Sequence, residues 1–209
     1  MNILAIGAHF DDIELGCGGT LAKHIKNGDK VYVFVATRSG FSDHRGKLVR
    51  SNEVAMKEGK NAMQKLGIKN LIQGNFETLK IEFNEELNKE IINIVNKYKI
   101  NTVYTHWDGD IHHDHQVVAK STLHACRHVK NILMYRSNWY QSSQIFNANY
   151  YVDITNFWKL KKNSILCHKS EMQRTNKKWM DFFYNEAKNA GQKIGVKFAE
   201  VFQVIKVLK

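Results

Sequence analysis

The chain has no proline, three cysteines, and 20 acidic residues against 31 lysines and arginines. Without proline there is no polyproline scaffold, no collagen-like repeat and no cis-proline turn. Cys17, Cys126 and Cys167 are odd in number and far apart, so they build neither a disulfide framework nor a CxxC metal knuckle. A reducing cytoplasm is the expected setting. No apolar run approaches the roughly 20 residues a helix needs to cross a bilayer. The opening run, Ile3 to Ala8, has no basic residue before it and meets Asp11 and Asp12 soon after, which argues for a buried strand and against a secretory signal.

What is present is the composition of a folded protein. The chain has 209 residues, 43% hydrophobic and 24% charged, a length that fits one domain over 1–209. The formal charge of +11 is scattered, with short clusters such as Lys159, Lys161 and Lys162. No helix-turn-helix, RNP or zinc-finger spacing accompanies it, so nucleic acid is not an expected partner.

Short apolar runs alternate with helical stripes. Asn2–Ala8 and Val31–Ala36 read as strands covered on both faces, Asn101–Thr105 and Ile132–Tyr135 as weaker versions, and Leu71–Ile72 as part of another. Ala55, Gly59, Ala62, Met63 and Leu66 mark one helix, with Gly67 as its stop. Leu87, Ile91, Ile94, Val95 and Tyr98 mark a second, capped by Asn84. A strand at Tyr150–Ile154, helices near 156–170 and 175–190, and a final strand at Val196–Val207 follow. The expected fold is α/β: a Rossmann-like, mainly parallel sheet with helices on both faces and a C-terminal extension.

In such a sheet, ligands bind beyond the carboxyl ends of the strands. The first strand runs into AHFDDIELGCGGT (8–20), and the strand near 101–105 into HWDGDIHHDH (106–115), which holds four of the ten histidines. A dinucleotide fingerprint fails at the first segment: the GxGxxG positions fall on Gly7, His9 and Asp12, and two carboxylates would repel a pyrophosphate. Gly16, Gly18 and Gly19 fit close packing of a helix on the sheet instead. A metal site accounts for both segments. His9 and Asp12 are three apart at a strand-to-helix turn, and a third ligand can come from His112 to His115. Of the adjacent carboxylates, one can bind the ion while the other accepts a proton. Trp107 lies between the clusters and is a candidate pocket wall. His168 is either a contact near the substrate or a structural cap. Trp139, Trp158, Trp179 and Cys17 read as packing residues.

These segments resemble the LmbE-like, or PIG-L-type, metal-dependent N-deacetylases, with their AHPDDxxLGCGGT-like opening and later DxHxDH. Further matches are TRSG at 37–40, Arg50 with Glu53, HKSE at 168–171 for HxSQ, and FAEVF at 198–202 for AExF. The resemblance implies that His9, Asp12 and His115 bind the metal and Asp11 is the general base. It makes His112 a second imidazole at the reacting carbonyl, acting protonated, with Asp114 as its orienting carboxylate, and gives Arg50 to the substrate. The implied cofactor is zinc, with ferrous iron as the alternative. The implied substrate is a small amino sugar of N-acetylglucosamine type, linked to a nucleotide, lipid or thiol, and the implied assembly is a homo-oligomer. Phe10 replaces the family's proline, Glu171 replaces its glutamine, and the TRSG loop lacks a glutamate often found there. An amidase acting on another N-acyl conjugate would keep every ligand. A non-catalytic nucleic-acid or anion-binding protein would exploit the +11 charge and would not need Asp11, Asp12 and His115 together.

Overall fold

The computed structural model describes residues 1–208. In chain order the elements are β1 (Asn2–Gly7), α1 (Asp12–Lys26), β2 (Lys30–Thr37), β3 (Phe41–Ser42), β4 (Leu48–Arg50), α2 (Asn52–Leu66), β5 (Asn70–Phe76), α3 (Glu85–Tyr98), β6 (Thr102–His106), α4 (His113–Ala125), β7 (Asn131–Tyr135), β8 (Tyr150–Asp153), α5 (Trp158–Ile165), α6 (Lys169–Arg174), α7 (Lys178–Lys193) and β9 (Ala199–Lys206). The main sheet has seven strands in the order β5-β2-β1-β6-β7-β9-β8. The first five in that order are parallel, and β9 pairs antiparallel with both β7 and β8.

Alternation along the strands divides the interior. Ile3, Ala5, Val31, Val33 and Val35 face one core, which includes residues of α1 and α2. Leu4, Ile6, Phe34 and Ala36 face the other, with Leu87, Ile91 and Val118 of α3 and α4. The period of two that places side chains on opposite faces of a strand is enough to make both. Helix ends form where the expected signals stand. The Asn84 side chain accepts from the Leu87 N–H at 3.0 Å, and Gly67 ends α2 with φ 79°.

Close packing of α1 on the sheet is visible at Gly16, where a Cβ would lie 2.1 Å from the Tyr135 ring, and at Gly19, where it would meet Ile154 at 2.9 Å. At Gly18, contrary to expectation, a Cβ would meet no clash, its nearest neighbour being Leu66 at 3.5 Å. The helical stretch near 156–170 is divided. A 3-10 turn (Thr155–Phe157) leads into α5, and a break precedes α6. The β3–β4 hairpin was not expected, since strands of two and three residues leave no periodic signal.

Strand order reverses on either side of β1: the chain passes from β1 to β2 on one flank and later to β6 on the other. The carboxyl ends of β1 and β6 therefore bound a crevice, and the two histidine- and aspartate-rich segments leave the sheet there.

Candidate metal centre

His9 follows β1, Asp12 opens α1, and His115 lies in the first turn of α4. The His115 Nε2 is 3.2 Å from Asp12 Oδ1, and the His9 Nδ1 is 3.4 Å from Asp12 Oδ2. One ligand atom from each of the three lies within 4.8 Å of the others. Two imidazole nitrogens and one carboxylate oxygen suit zinc or ferrous iron.

The nitrogen that each ring turns away from Asp12 is held by a different carboxylate. His9 Nε2 contacts Asp114 Oδ2 at 2.8 Å, and His115 Nδ1 contacts Asp110 Oδ2 at 3.0 Å. Backing of this kind fixes the tautomer and orientation of a metal-binding histidine. The supporting carboxylates are anchored in turn, Asp114 Oδ2 by the Leu79 N–H at 2.9 Å and Asp110 Oδ1 by the His112 N–H at 2.8 Å and the Asn138 amide at 2.9 Å. Ser137 donates to Asp12 Oδ1 at 2.9 Å.

The electrostatics describe a site whose negative charge is balanced by protons. Burial disfavours a charged His115, but Asp12 and Asp110 outweigh it and raise its pKa to about 10. His9 is raised to about 9 against burial by Asp114 and Asp12. Asp12 is held well below the usual carboxylate range, burial being overcome by the neighbouring His115 and His106. A metal ion takes the place of such protons.

Beside these three residues, Asp11 occupies the junction of β1 and α1 with φ 121° and ψ −31°, a backbone region that costs a non-glycine residue strain. Arg50 donates to Asp11 Oδ2 at 2.8 Å and to the Phe10 carbonyl at 3.2 Å from both terminal nitrogens. Burial raises the pKa of Asp11 to about 6 despite Arg50. Phe10, in the family's proline position, is buried against Gly59, where a Cβ would lie 2.1 Å from its ring.

A cavity of about 250 Å³ unites His9, Asp11, Asp12, Arg50, His112 and His115. Several expectations need correcting. Asp114 was expected to orient His112, but its carboxylate bonds His9, while the His112 Nδ1 accepts the Asp114 backbone N–H at 3.2 Å. His112 was expected to act protonated. Burial, with His115 and His9 alongside, lowers its pKa to about 4, so the ring is neutral at neutral pH and its Nε2 carries the proton. Arg50, expected at the substrate, does line the cavity, and its guanidinium also bonds Asp11 and Phe10. Trp107 is buried outside the cavity against Ala119 and Met134. His168 is buried and bonded to Glu14 Oε1 at 2.7 Å, and does not line the cavity. Trp139 and Trp179, read as packing residues, do line it. Trp158 does pack, stacked on Phe198.

Sequence reasoning missed His106, Asp110 and Ser137. His106 is fully buried, accepts the Ala8 N–H at 2.9 Å through Nε2, and has its pKa lowered to about 4 by burial and His115. Asp110 opens the DIHHDH segment, so its place in the motif is a signal the sequence carries. Ser137 has no signal in its own neighbourhood.

Residues 4–126 match the profile of the family described as PIG-L: GlcNAc-PI de-N-acetylase. The chain belongs to the PIG-L deacetylase family. Within the range of that match lie both histidine- and aspartate-rich segments of this PIG-L chain. The uncharacterized deacetylase YaiS of Escherichia coli (strain K12) is 37% identical over 145 residues, 66% of this chain and 75% of that protein. The N,N'-diacetylchitobiose deacetylase of Pyrococcus horikoshii superposes with a TM-score of 0.84 at 23% identity, covering 98% of this chain and 83% of that one. GalB, the 4-carboxy-2-hydroxymuconate hydratase of Pseudomonas putida KT2440, superposes with a TM-score of 0.82 at 15% identity, covering 100% of this chain and 98% of that one. These superpositions establish the α/β fold, and the hydratase shows that the fold carries more than one chemistry.

Proposed function

We propose that this PIG-L protein hydrolyses the N-acetyl group of an N-acetylglucosamine-type sugar, with zinc or ferrous iron held by His9, Asp12 and His115. The observation that carries the reading is the backing of both histidines by separate carboxylates beside an aspartate that bonds neither of them, Asp11. The family description and the deacetylase names of the relatives supply the acyl group and the sugar.

A divalent cation there supplies Lewis acidity, which lowers the pKa of a water toward about 7 and polarises an acyl carbonyl. Asp11 is the proton acceptor. Its Oδ2 is occupied by Arg50, and among the described residues its Oδ1 receives no hydrogen bond. With a pKa of about 6 it is a carboxylate at neutral pH, able to take the proton of the attacking water. The neutral His112 donates its Nε2–H to the oxyanion that develops on the acetyl carbon, as a fixed donor does in an oxyanion hole. Asp11 then returns its proton to the departing nitrogen, and acetate and the free amino sugar leave. Trp139 and Trp179 line the cavity and offer apolar faces for a sugar ring. Three free thiols suit a reducing cytoplasm, and among the described residues no helix is long and apolar enough to cross a membrane.

The test is release of free amine from N-acetylglucosamine and N,N'-diacetylchitobiose by the purified protein. Turnover should vanish with a chelator and return with zinc or ferrous salt. Absence of amine release under every metal condition would refute the proposal.

A further inference from the structure

We infer that Glu14 and His168 are positioning residues for Asp11, closing with Arg50 a buried ring of contacts around the base of the reaction. The inference rests on the proposed role of Asp11 as proton acceptor.

The ring is continuous. Arg50 donates to Asp11 Oδ2 at 2.8 Å, its other terminal nitrogen is 3.4 Å from His168 Nδ1, and His168 Nε2 is 2.7 Å from Glu14 Oε1. Glu14 lies three residues after Asp11 in the first turn of α1, so the path leaves that turn, passes through the end of β4 and the residue before α6, and returns to it. Relative exposures are 7% for Asp11, 3% for Arg50 and 1% each for His168 and Glu14. Glu14 and His168 do not line the cavity, so neither is placed to touch substrate.

Hydrogen-bonding chemistry gives the ring a direction. A guanidinium only donates, so the contact with Arg50 requires a lone pair on His168 Nδ1. The ring proton then sits on Nε2 and goes to Glu14. Burial and the guanidinium oppose a second proton on His168 and Glu14 favours one, with a net upward pull on its pKa. The other carboxylates near Arg50, Glu58 and Glu171, are each 3.8 Å away, too far for a hydrogen bond. His168 is therefore the side chain that fixes the guanidinium on the side away from Asp11.

A bland account is that Glu14 and His168 merely satisfy one another in the interior. A well-packed apolar pair would stabilise such a site equally or better. This polar pair instead terminates on the guanidinium that holds Asp11, whose backbone persists at φ 121° only while its surroundings restrain it.

The experiment compares wild type, Glu14→Ala and Glu14→Gln on N-acetylglucosamine, with the metal content of each. Glu14→Ala should lower kcat by roughly 10- to 100-fold, the scale of a misplacement near 1 Å, with KM and metal content retained. Glu14→Gln keeps an oxygen that accepts the Nε2–H and should restore most of the loss. In an Arg50→Lys background Glu14→Ala should cost little more, because contacts acting through one group are not additive. Wild-type kcat in Glu14→Ala, equal losses in Ala and Gln, or a full additional loss in the Arg50→Lys background would overturn the inference. Nitrogen-15 NMR of the wild-type imidazoles at mildly alkaline pH decides the matter without turnover or a folded variant. The neutral Nε2–H form of His168 is expected, and an Nδ1–H or doubly protonated ring sinks the proposal. Absence of wild-type turnover refutes the proposed deacetylation alone.

Discussion

His9, Asp12 and His115, which form one wall of the cavity, come from two short stretches at the ends of neighbouring parallel strands. Phe41, Arg50, Trp139, Glu171 and Trp179, which form much of the rest, come from the β3–β4 hairpin, the chain after β7, α6 and the start of α7. The first wall is fixed by the sheet, since β1 and β6 are paired in register from Ile3 and Thr102 onward. The second is built on loops and short elements, the parts of a fold that vary without disturbing its core. If the proposed function holds, groups for hydrolysis and groups for substrate selection can thus be altered separately, except at Arg50, which stands in the second wall but grips Asp11 of the first.

The largest effects should come from the metal wall. His115→Ala should leave the protein without metal, measured by elemental analysis, and turnover at background. Asp11→Asn should keep the metal and lose roughly 10²- to 10⁴-fold in kcat. Loss of metal from Asp11→Asn would erase the division between ligand and base. Arg50 tests the boundary between the walls. Because it bonds Asp11, Arg50→Ala should depress kcat, by about 10²-fold, more than it raises KM. A rise in KM alone would return Arg50 to the substrate.

Smaller effects should follow from the carboxylates behind the histidines. Asp110→Ala and Asp114→Ala should each weaken metal affinity by roughly 10- to 100-fold, read by competition with a chelating dye. Protons should be expelled as the metal enters. With metal-free pKa values of about 9 for His9 and about 10 for His115, both rings are protonated near neutral pH and must lose those protons to bind. Affinity should rise with pH through that range and flatten above it, and calorimetry in buffers of different ionisation enthalpy should count the protons. Uptake without proton release would contradict the charge balance described for His9 and His115.

The smallest effect on catalysis separates the two tryptophans. Trp139→Ala should raise KM by roughly 2- to 10-fold through lost stacking, with kcat retained. Trp107→Ala should leave KM alone and lower stability by about 3–5 kcal/mol, the usual cost of emptying a buried aromatic site. Reversed results would put Trp107 back on the pocket.

Much of this is legible in the sequence. The apolar run of β1, the stripe of α3 and the caps at Asn84 and Gly67 are written in spacings of a few residues. The two motifs were legible for the same reason, and because their residue types suit one ion. The misreadings share another cause. Trp107 is near the motifs in sequence, yet β6 turns it into the core beside Met134. Trp139 is remote in sequence, yet the chain after β7 brings it to the cavity. His168 was left between two roles because its partner, Glu14, is 154 positions away.

By itself the sequence determined where the main strands and helices lie, though not the β3–β4 hairpin or the break between α5 and α6, that the sheet is mainly parallel, and that two segments rich in histidine and aspartate leave it on the same side. Periodicity and chemical type carry that information, and both are properties of neighbouring residues. Only the tertiary structure decided that Asp114 backs His9, that Asp110 backs His115, that Arg50 holds Asp11 and that Trp139 reaches the cavity. Those outcomes depend on strand order and the paths of loops, which bring together side chains that no local spacing relates.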